Sequence, residues 1–245
     1  MTSAKSNSSS HQNVDNVGLM FDGIAKSYSL INHIASFGQD FRWRKKLANL
    51  PDKERNLRLL DLATGTGDLL VELLHRNPNI VEALGLDISE EMLTICRKKI
   101  IKHNLKNRVS LFKSDAVSCP FADESFDIVS MGFGIRNMLD TQMVLGEIYR
   151  LLRPDGVVLI LEFSLPTNKF LKYCYLIYLR YFVYLLGAII AGNSKAYRYL
   201  NTSIEEFHQT SDVLELMRKA GFTGTNSIPL TFGIVRIYQG RKITT

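Results

Sequence analysis

The sequence is poor in the residues that build disulfide scaffolds and metal sites. Only 3 of its 245 residues are cysteine, and Cys96, Cys119 and Cys174 are scattered, without a CxxC pair or a Cys/His cluster. This spacing disfavours a disulfide framework and a structural zinc site, and it favours a reducing, cytoplasmic compartment. The Ser/Asn-rich segment 1–17 lacks the apolar run of a signal peptide, so we predict a disordered tail there.

A large excess of charge of either sign is also missing. The 30 Lys and Arg residues against 24 Asp and Glu give a net charge of +6, and the positive charges are dispersed along the chain. A nucleic-acid-binding module concentrates its positive charge in a stripe, so a basic RNA-binding module is a remote alternative. The mild bias suits peripheral contact with an anionic membrane surface without requiring it. The full chain is 46% hydrophobic, so segment 18–245 can bury the core of a single domain.

From residue 57 onward, apolar strands alternate with amphipathic helices. The predicted strands are "LRLLDLA", "VEALGLD", "VSLFKSD", "FDIVSMGF" and "VVLILEF", then segments near "TNSIPL" and "GIVRIYQG". The predicted helices are "DLLVELLHRN", "SEEMLTICRKKIIKHN" with Ser89 as N-cap, "TQMVLGEIYRLL" and "SDVLELMRKAGF"; "RPDG" reads as a turn. Continuous apolar strands separated by helices predict an α/β fold, a doubly wound, mostly parallel seven-stranded sheet with helices on both faces.

The segment that precedes this alternation has a different pattern. Residues 19–50 look helical in pieces, with a break near "SFGQD", and Trp43, Leu47 and Leu50 share one helical face. Four basic residues surround that face: Arg42, Arg44, Lys45 and Lys46. We interpret them as the solvated side of an amphipathic helix, and contact with a membrane or a phosphate is the alternative.

The loop after the first predicted strand contains two glycines. Gly65 and Gly67 permit a tight turn and let a ligand approach the main chain, although an ordinary strand-to-helix turn would need them too. The dinucleotide fingerprint G-x-G-x-x-G fails at Leu70, which disfavours a nicotinamide-dependent oxidoreductase. Asp87 follows Gly67 by 20 residues at the end of the second predicted strand, where a carboxylate can bind ribose hydroxyls. The pair predicts a nucleoside ligand.

The charges near this loop narrow the class of nucleoside. Asp61, Asp68 and Asp87 are acidic, and the loop has no lysine of the kind that a P-loop supplies. A polyphosphate is therefore disfavoured, and a nucleoside that carries a positive charge fits better.

Longer motifs carry a resemblance to a known family. "LDLATGTGD" and the later "LDIS" resemble the first two motifs of class I S-adenosylmethionine-dependent methyltransferases, which have a Rossmann-like fold. "FDGIAKSYSLINHIASFG", "SDAVSCPFADESFDIVSMGFGIRNM", "YRLLRPDGVVLILEFSLP" and "KAYRYLNTSI" resemble the menaquinone and ubiquinone biosynthesis C-methyltransferases. The similarity runs from about Met20 to Lys242, and Thr64 departs from the glycine of many relatives. Threonine fits there if only Gly65 and Gly67 need unusual backbone angles.

The resemblance implies S-adenosyl-L-methionine as cofactor and assigns residues to it. The implied cofactor-binding residues are Gly65, Thr66, Gly67, Asp87, Asp115, Ala116 and Ser130. Thr66 would lie in the loop that holds the methionine part, and Asp115 and the Ala116 amide would border the adenine. A turn cap for Asp115 and a satisfied strand-end hydroxyl for Ser130 are the structural alternatives.

The reaction that the resemblance implies is methylation of a ring carbon of a prenylated quinol. Loss of a phenol proton makes the ortho carbon electron-rich, so no nucleophilic side chain or metal is needed. Arg136 and Asn137 are our first candidates for catalysis, and Tyr28 is a further candidate for orienting the ring. The structural alternatives are a salt bridge to a neighbouring acid such as Asp140 for Arg136, and plain packing as a core aromatic for Tyr28. The expected reaction converts demethylmenaquinol to menaquinol; a benzoquinol precursor of ubiquinone, or both quinols, stays open.

An apolar stretch gives a second indication of a lipid-like substrate. Phe170–Gly192 is long enough to cross a bilayer. A transmembrane helix is nevertheless disfavoured, because the stretch contains Lys172, Arg180 and five tyrosines and lies between two elements of one predicted sheet. We predict that about 166–205 is a substrate-covering helical insertion whose apolar face takes a prenyl tail or touches the membrane, with core packing as the alternative. The residues Tyr197, Arg198 and Tyr199 are expected to close the pocket. These features fit a cytoplasmic protein, peripheral at the inner face of the membrane, and are compatible with a homo-oligomer.

Overall fold

One sheet of seven strands organises the part of the chain that the computed structural model describes, residues 3–53, 55–191, 194–210 and 212–243. The strands are β1 Leu57–Leu62, β2 Ile80–Asp87, β3 Val109–Lys113, β4 Phe126–Gly132, β5 Leu152–Phe163, β6 Thr223–Leu230 and β7 Val235–Arg241. Their spatial order is β3-β2-β1-β4-β5-β7-β6, and β7 runs opposite to the other six strands. This confirms the predicted doubly wound, mostly parallel sheet.

Helices cover both faces of the sheet. They are α1 Ser3–Ala35, α2 Gln39–Ala48, α3 Asp68–Arg76, α4 Glu90–Lys102, α5 Thr141–Leu151, α6 Lys169–Ile177, α7 Tyr184–Ala191, α8 Ser194–Thr210 and α9 Val213–Lys219. Leu57 and Leu59 of β1 point into a core with α2, α3 and α4, whereas Leu60 and Leu62 point into a core with α5 and α9. This alternation follows from the period of two in a strand, and it directs Asp61 to the α3 side at the carboxyl end of β1.

Two local features differ from the expected pattern. The helix α1 begins at Ser3, where we expected a disordered tail; segment 1–17 contains no proline or glycine to end a helix that extends from residues 18–35. The "RPDG" turn lies within β5 as an irregularity, because the Asp155 amide donates to the Lys242 carbonyl at 2.8 Å and keeps the chain beside β7. Asp155 takes the left-handed φ of 63° that this bend requires. The break after α1 is present as predicted, with Gly38 at φ 72°.

The predicted insertion forms a helical layer beyond the sheet. It comprises α6, a π-helical turn over Tyr178–Val183, α7 and the first part of α8. Ile24 and Ile31 of α1 pack with Tyr175, Leu179 and Ile204 in a third hydrophobic cluster. One stretch of the described chain, Lys169–Ile190, is long and apolar enough to cross a membrane, and only 22% of its most apolar window is buried. α1 and the insertion therefore form a layer over the carboxyl ends of the strands. One side of this layer is packed against the protein, and the other side is exposed.

Candidate active site

A cavity of 580 Å³ lies at the carboxyl ends of β1, β2 and β4. Strands of a doubly wound sheet place their ligands at this edge. The structure brings five of the predicted cofactor-binding residues to its wall: Gly65, Thr66, Asp87, Asp115 and Ala116. Predicted residues from three separate loops are therefore neighbours around one space.

The loop after β1 bends sharply toward this cavity. Gly65 and Gly67 take left-handed φ angles of 54° and 79°, as the sequence predicted, and Ala63 does so as well at 49°. Thr64 needs no such angle, and its hydroxyl donates to Asp61 Oδ2 at 2.7 Å. The threonine that departs from the family pattern therefore fits the loop.

Gly67 has a packing role that the sequence did not indicate. It is the N-cap residue of α3, and a Cβ there would lie 2.5 Å from Cys96 Sγ of α4. No real side chain tolerates that distance, so Gly67 allows α3 and α4 to approach each other. Its predicted contact with the cofactor remains a prediction.

Asp87 ends β2 with both carboxylate oxygens already oriented. Its Oδ2 accepts from the Gly65 amide at 2.7 Å, and its Oδ1 accepts from the Ser89 amide at 2.9 Å. Each carboxylate oxygen can accept more than one hydrogen bond, so these amides fix the group and leave capacity for hydroxyls in the cavity. Burial raises the pKa of Asp87 despite these amide bonds. Ser89 also caps α4 as predicted, by accepting from the Met92 amide at 3.1 Å.

Asp61 is a site residue whose role the sequence analysis did not assign. Its side chain borders the cavity although the residue is only 1% exposed. The Ser130 hydroxyl donates to Oδ1 at 2.5 Å, and burial raises the pKa of Asp61 to about 6. Ser130 is itself fully buried, so it holds Asp61 in place, which is the strand-end role given above as the alternative for this hydroxyl. The signal was present in the sequence as a carboxylate inside an apolar strand.

Asp68 at the start of α3 is the centre of a polar cluster at the cavity wall. Ser29 of α1 donates to its Oδ2 at 3.0 Å, and the Thr66 hydroxyl donates to the same oxygen at 2.9 Å. Lys99 also forms an ion pair with Asp68. Burial alone would raise the pKa of Asp68, but Arg44 and Lys99 together hold it below its usual value. Asp68 therefore stays ionised and links α1 to the glycine loop.

Two further contacts shape the ends of the cavity. Asp115 accepts from the Val117 amide at 3.1 Å, so it caps a turn while its side chain lines the cavity. From above, Asp22 of α1 accepts from the Ser89 hydroxyl at 2.5 Å, which fixes α1 over the Asp87 turn. Val17, Phe21 and Tyr28 of α1 complete the roof.

Arg136 lies behind the cavity wall in the short 3-10 turn Ile135–Asn137. Its side chain is 3% exposed, and Nη1 donates to Glu162 Oε1 at 2.6 Å and to the Phe133 carbonyl at 2.8 Å. The structural alternative, a salt bridge to an acid, is therefore present, but the partner is Glu162; Asp140 instead caps α5 by accepting from the Met143 amide at 2.9 Å. The carboxylate that pairs with Arg136 lies in the apolar strand β5, and the sequence analysis did not select it.

The environment of Arg136 gives it a fixed charge with a donor in reserve. Burial opposes that charge, but Glu162 more than compensates and raises the pKa of Arg136. Its Nε is buried and has no hydrogen-bond partner within the described residues. The positive charge lies close enough to Tyr28 to oppose the rise in the pKa of Tyr28 that burial causes. Tyr28 and Asn137 both line the 580 Å³ cavity, and the Tyr199 hydroxyl donates to Asn137 Oδ1 at 3.3 Å.

A second cavity, of 680 Å³, lies between α1, α2 and the insertion. Its wall is mostly aromatic and aliphatic: Ile31, Trp43, Phe133, Phe163, Tyr175, Tyr178, Leu179 and Val183 belong to it. Phe133 and Arg44 border both cavities, so the two spaces are neighbours. Arg44 was expected on a solvated basic face, but it is buried and pairs with Asp40 at 2.5 Å one helical turn earlier. The side chain of Tyr197 lies outside the part of the chain described.

Comparison with known proteins identifies relatives of this chain. The sequence matches the model of the ubiE/COQ5 methyltransferase family over residues 6–242. A demethylmenaquinone methyltransferase of Thermus thermophilus is 40% identical over 223 residues, which cover 91% of this chain and 100% of that protein. A ubiquinone/menaquinone biosynthesis C-methyltransferase UbiE of Geotalea daltonii is 38% identical over 91% of this chain and 94% of its own length. A solved SAM-dependent methyltransferase of Thermotoga maritima covers 92% of this chain and 99% of its own, with a TM-score of 0.60 at 20% identity, and so shows the fold alone.

Proposed function

The chain belongs to the ubiE/COQ5 methyltransferase family, and from this premise we propose that it methylates a ring carbon of demethylmenaquinol with S-adenosylmethionine. The observation that carries the proposal is the shared wall of Phe133 and Arg44 between an acid-lined cavity and an apolar one. A methyl transfer between a polar cationic donor and a prenylated ring needs two such spaces in contact. The 40% identity to a demethylmenaquinone methyltransferase supports a naphthoquinol as the acceptor.

The residues of the first cavity fit S-adenosylmethionine by charge. Five carboxylates line it, from Asp61, Asp68, Asp87, Asp115 and Asp140. When bound, S-adenosylmethionine supplies a methyl group on a positively charged sulfonium, which is already a good leaving group. Asp87 would accept from the ribose hydroxyls, and Asp61 and Asp68 would face the charged methionine part. A polyphosphate would be repelled by the same carboxylates.

The residues of the second cavity fit the prenyl chain and the ring. Its mostly aromatic and aliphatic wall would remove the apolar surface of the prenyl chain from water, and the chain needs no hydrogen bonds there. The ring of the quinol would lie where the cavities meet, beside Phe133. α1 and the insertion would hold the ring against the donor there, and alignment of the two reacting atoms supplies much of the acceleration.

The remaining requirement is the removal of a phenol proton. A phenol has a reference pKa of about 10, so few quinols are ionised at neutral pH. The fixed charge of Arg136 would stabilise the phenolate. Asn137 and Tyr28 at the cavity wall would orient the phenol group of the quinol before it loses its proton. Arginine stays protonated, so it acts on the charge and leaves the proton to water.

The experiment is a methyl-transfer assay with the purified full chain. Labelled S-adenosylmethionine is offered with reduced demethylmenaquinol and, separately, with a demethylated benzoquinol precursor of ubiquinone. We expect label in the naphthoquinol, and transfer abolished or greatly weakened in an Asp87→Ala control. Label in the benzoquinol alone would assign the ubiquinone branch instead. Cofactor binding without transfer to either quinol would refute the proposal.

A further inference from the structure

Two phenylalanines project from separate loops at the opening of the apolar cavity. Phe37, between α1 and α2, is 74% exposed, and Phe232, between β6 and β7, is 83% exposed. Both line the 680 Å³ cavity, and both take left-handed φ angles, 50° and 58°. A bulky residue in this region of backbone space is an outlier that clusters at functional sites. Contact with water does not compensate for the backbone strain at these two residues or for the exposure of their rings. Their positions therefore indicate an apolar partner outside the chain.

Two rings of the π-helical turn join Phe37 at the same opening. Phe182 lies 6.0 Å from Phe37 between ring centroids, and Tyr178 lies 6.2 Å from Phe37 and 5.2 Å from Phe182. Phe182 is also exposed, at 40%. We call Phe37, Tyr178, Phe182 and Phe232 the aromatic rim.

A second apolar surface runs beside the rim along α6, the π turn and α7. Its members recur at every fourth residue and are between 41% and 73% exposed: Tyr173, Ile177, Tyr181, Leu185 and Ile189. We call them the outer row. The opposite side of the same segment, Tyr175, Leu179 and Val183, is buried in the third cluster. The segment is thus apolar on two sides, of which the protein itself covers one.

We propose that the aromatic rim and the outer row insert into the surface of a lipid bilayer, so that the apolar cavity opens directly into hydrocarbon. The inference rests on the proposed function, because a prenylated substrate dissolves in the bilayer and would enter the cavity without crossing water. Aromatic side chains are the residues that membrane-water interfaces favour. An apolar helix face buried at the headgroup boundary is a common means of peripheral attachment.

The charge beside the rim fits anionic headgroups. Arg42, Lys45 and Lys46 of α2 are exposed, and none of them has an ion-pair partner within the described residues. They follow Phe37 within nine residues, along one short helix. A bilayer that takes up Phe37 therefore brings its headgroups near three cations, each of which contributes attraction to an anionic surface. A partner protein would need a matching acidic and apolar face, so the lipid surface is the simpler occupant.

The buried side of the segment keeps it on the membrane surface. The Tyr178 hydroxyl donates to the Ala35 carbonyl of α1, and Asn201 Nδ2 donates to the Leu179 carbonyl at 2.5 Å. A spanning orientation would remove Leu179 and Val183 from their packing against α1 and α8. The same contacts hold the outer row facing outward.

The test is sedimentation of the full chain with vesicles that contain no quinol. One set is phosphatidylcholine, and the other adds about 30% phosphatidylglycerol to supply the anionic headgroups of the argument above. The variant carries Phe37→Asn and Phe232→Asn, because asparagine tolerates left-handed angles and should fold at least as well as phenylalanine. We expect wild type to bind the anionic vesicles and the variant to bind about 10-fold more weakly or worse, since two rings no longer enter hydrocarbon.

A matched pair of substitutions separates this face from general surface apolarity. Ile189→Glu in the outer row should weaken vesicle binding, whereas Ile101→Glu on α4, at a comparably exposed position, should leave it unchanged. Wild type that fails to bind either vesicle, or rim variants that bind like wild type, would overturn the inference. A rim-dependent dimer in sedimentation velocity without vesicle binding would also overturn it and assign the face to a second copy. Because no quinol is present, failure here is distinct from failure of the methyl-transfer assay.

Discussion

Replacing Asp61 by Asn should change the pH dependence of stability in a defined direction. The folded-state pKa of Asp61 is about 6, above its usual value of 3.8, because the carboxylate is buried. A carboxyl group with a raised pKa favours the folded state fully below about pH 3.8, and this advantage is lost as the pH rises through about 6. At about 1.4 kcal/mol for each pKa unit, the difference between the two pKa values corresponds to a loss of about 3 kcal/mol of unfolding free energy between low and high pH.

Asparagine removes the titration and preserves the shape of the side chain. It can accept from one of the two hydroxyls that now donate to Asp61, those of Thr64 and Ser130, and donate to the other. Between about pH 4.5 and about pH 7.5, the variant should therefore gain about 2 kcal/mol of unfolding free energy relative to wild type. Urea denaturation of both proteins at each pH measures this, and groups other than Asp61 cancel in the difference.

The same substitution should weaken the cofactor site. Loss of a carboxylate beside a cationic ligand lowers affinity, so calorimetry should show weaker S-adenosylmethionine binding in the protein that is more stable at high pH. A pH-independent difference in unfolding free energy would refute the raised pKa of Asp61. Unchanged affinity would remove Asp61 from the cofactor site.

Three further predictions test separate parts of the structure. Asp87→Ala should weaken S-adenosylmethionine binding by about 1–3 kcal/mol, measured by calorimetry, because hydroxyls and two amides lose their acceptor. Arg136→Ala should lower turnover by about 10²–10³-fold, with little change in cofactor affinity and with partial rescue of the rate at higher pH. Glu162→Gln should also lower turnover, because it releases Arg136 from its ion-pair partner. Normal turnover in both variants would show that the pair is structural. Gly67→Ala should destabilise the fold by roughly 1–3 kcal/mol in urea denaturation, and Cys96→Ala should restore part of that loss by removing the sulfur that the new Cβ meets.

The sheet and its helices could be predicted because their signals are local. The apolar run of β1 and the cap of α4 at Ser89 each lie within a few residues of sequence, and the structure reproduces both. The acidic end of β2 at Asp87 was predictable for the same reason, since it depends on the spacing from one glycine loop. Residues that a single strand-loop-helix unit positions are therefore accessible from sequence.

Partners across the fold were not accessible in this way. The pairing of Arg136 with Glu162 joins two segments that are 26 residues apart, and the nearer Asp140 was the more obvious partner by sequence alone. A usable signal existed, because Glu162 and Asp61 are both carboxylates inside otherwise apolar strands and must find partners there. Arg44 offered a similar signal in Asp40 four residues earlier, a spacing that places both on one side of a helix.

In the proposed reaction, the ion pairs of the two buried arginines would let a cationic donor approach the junction between the cavities. An unpaired guanidinium near the sulfonium would repel it, and in a low-dielectric site that repulsion is large. Arg44 is paired with Asp40, and Arg136 is paired with Glu162, so each positive charge is balanced within 2.6 Å or less. The pairs thus offset the positive charges of Arg44, which borders both cavities, and of Arg136, which lies behind the cavity wall. In the proposed reaction, a cationic cofactor would therefore meet less repulsion at the junction than two unpaired guanidinium groups would cause.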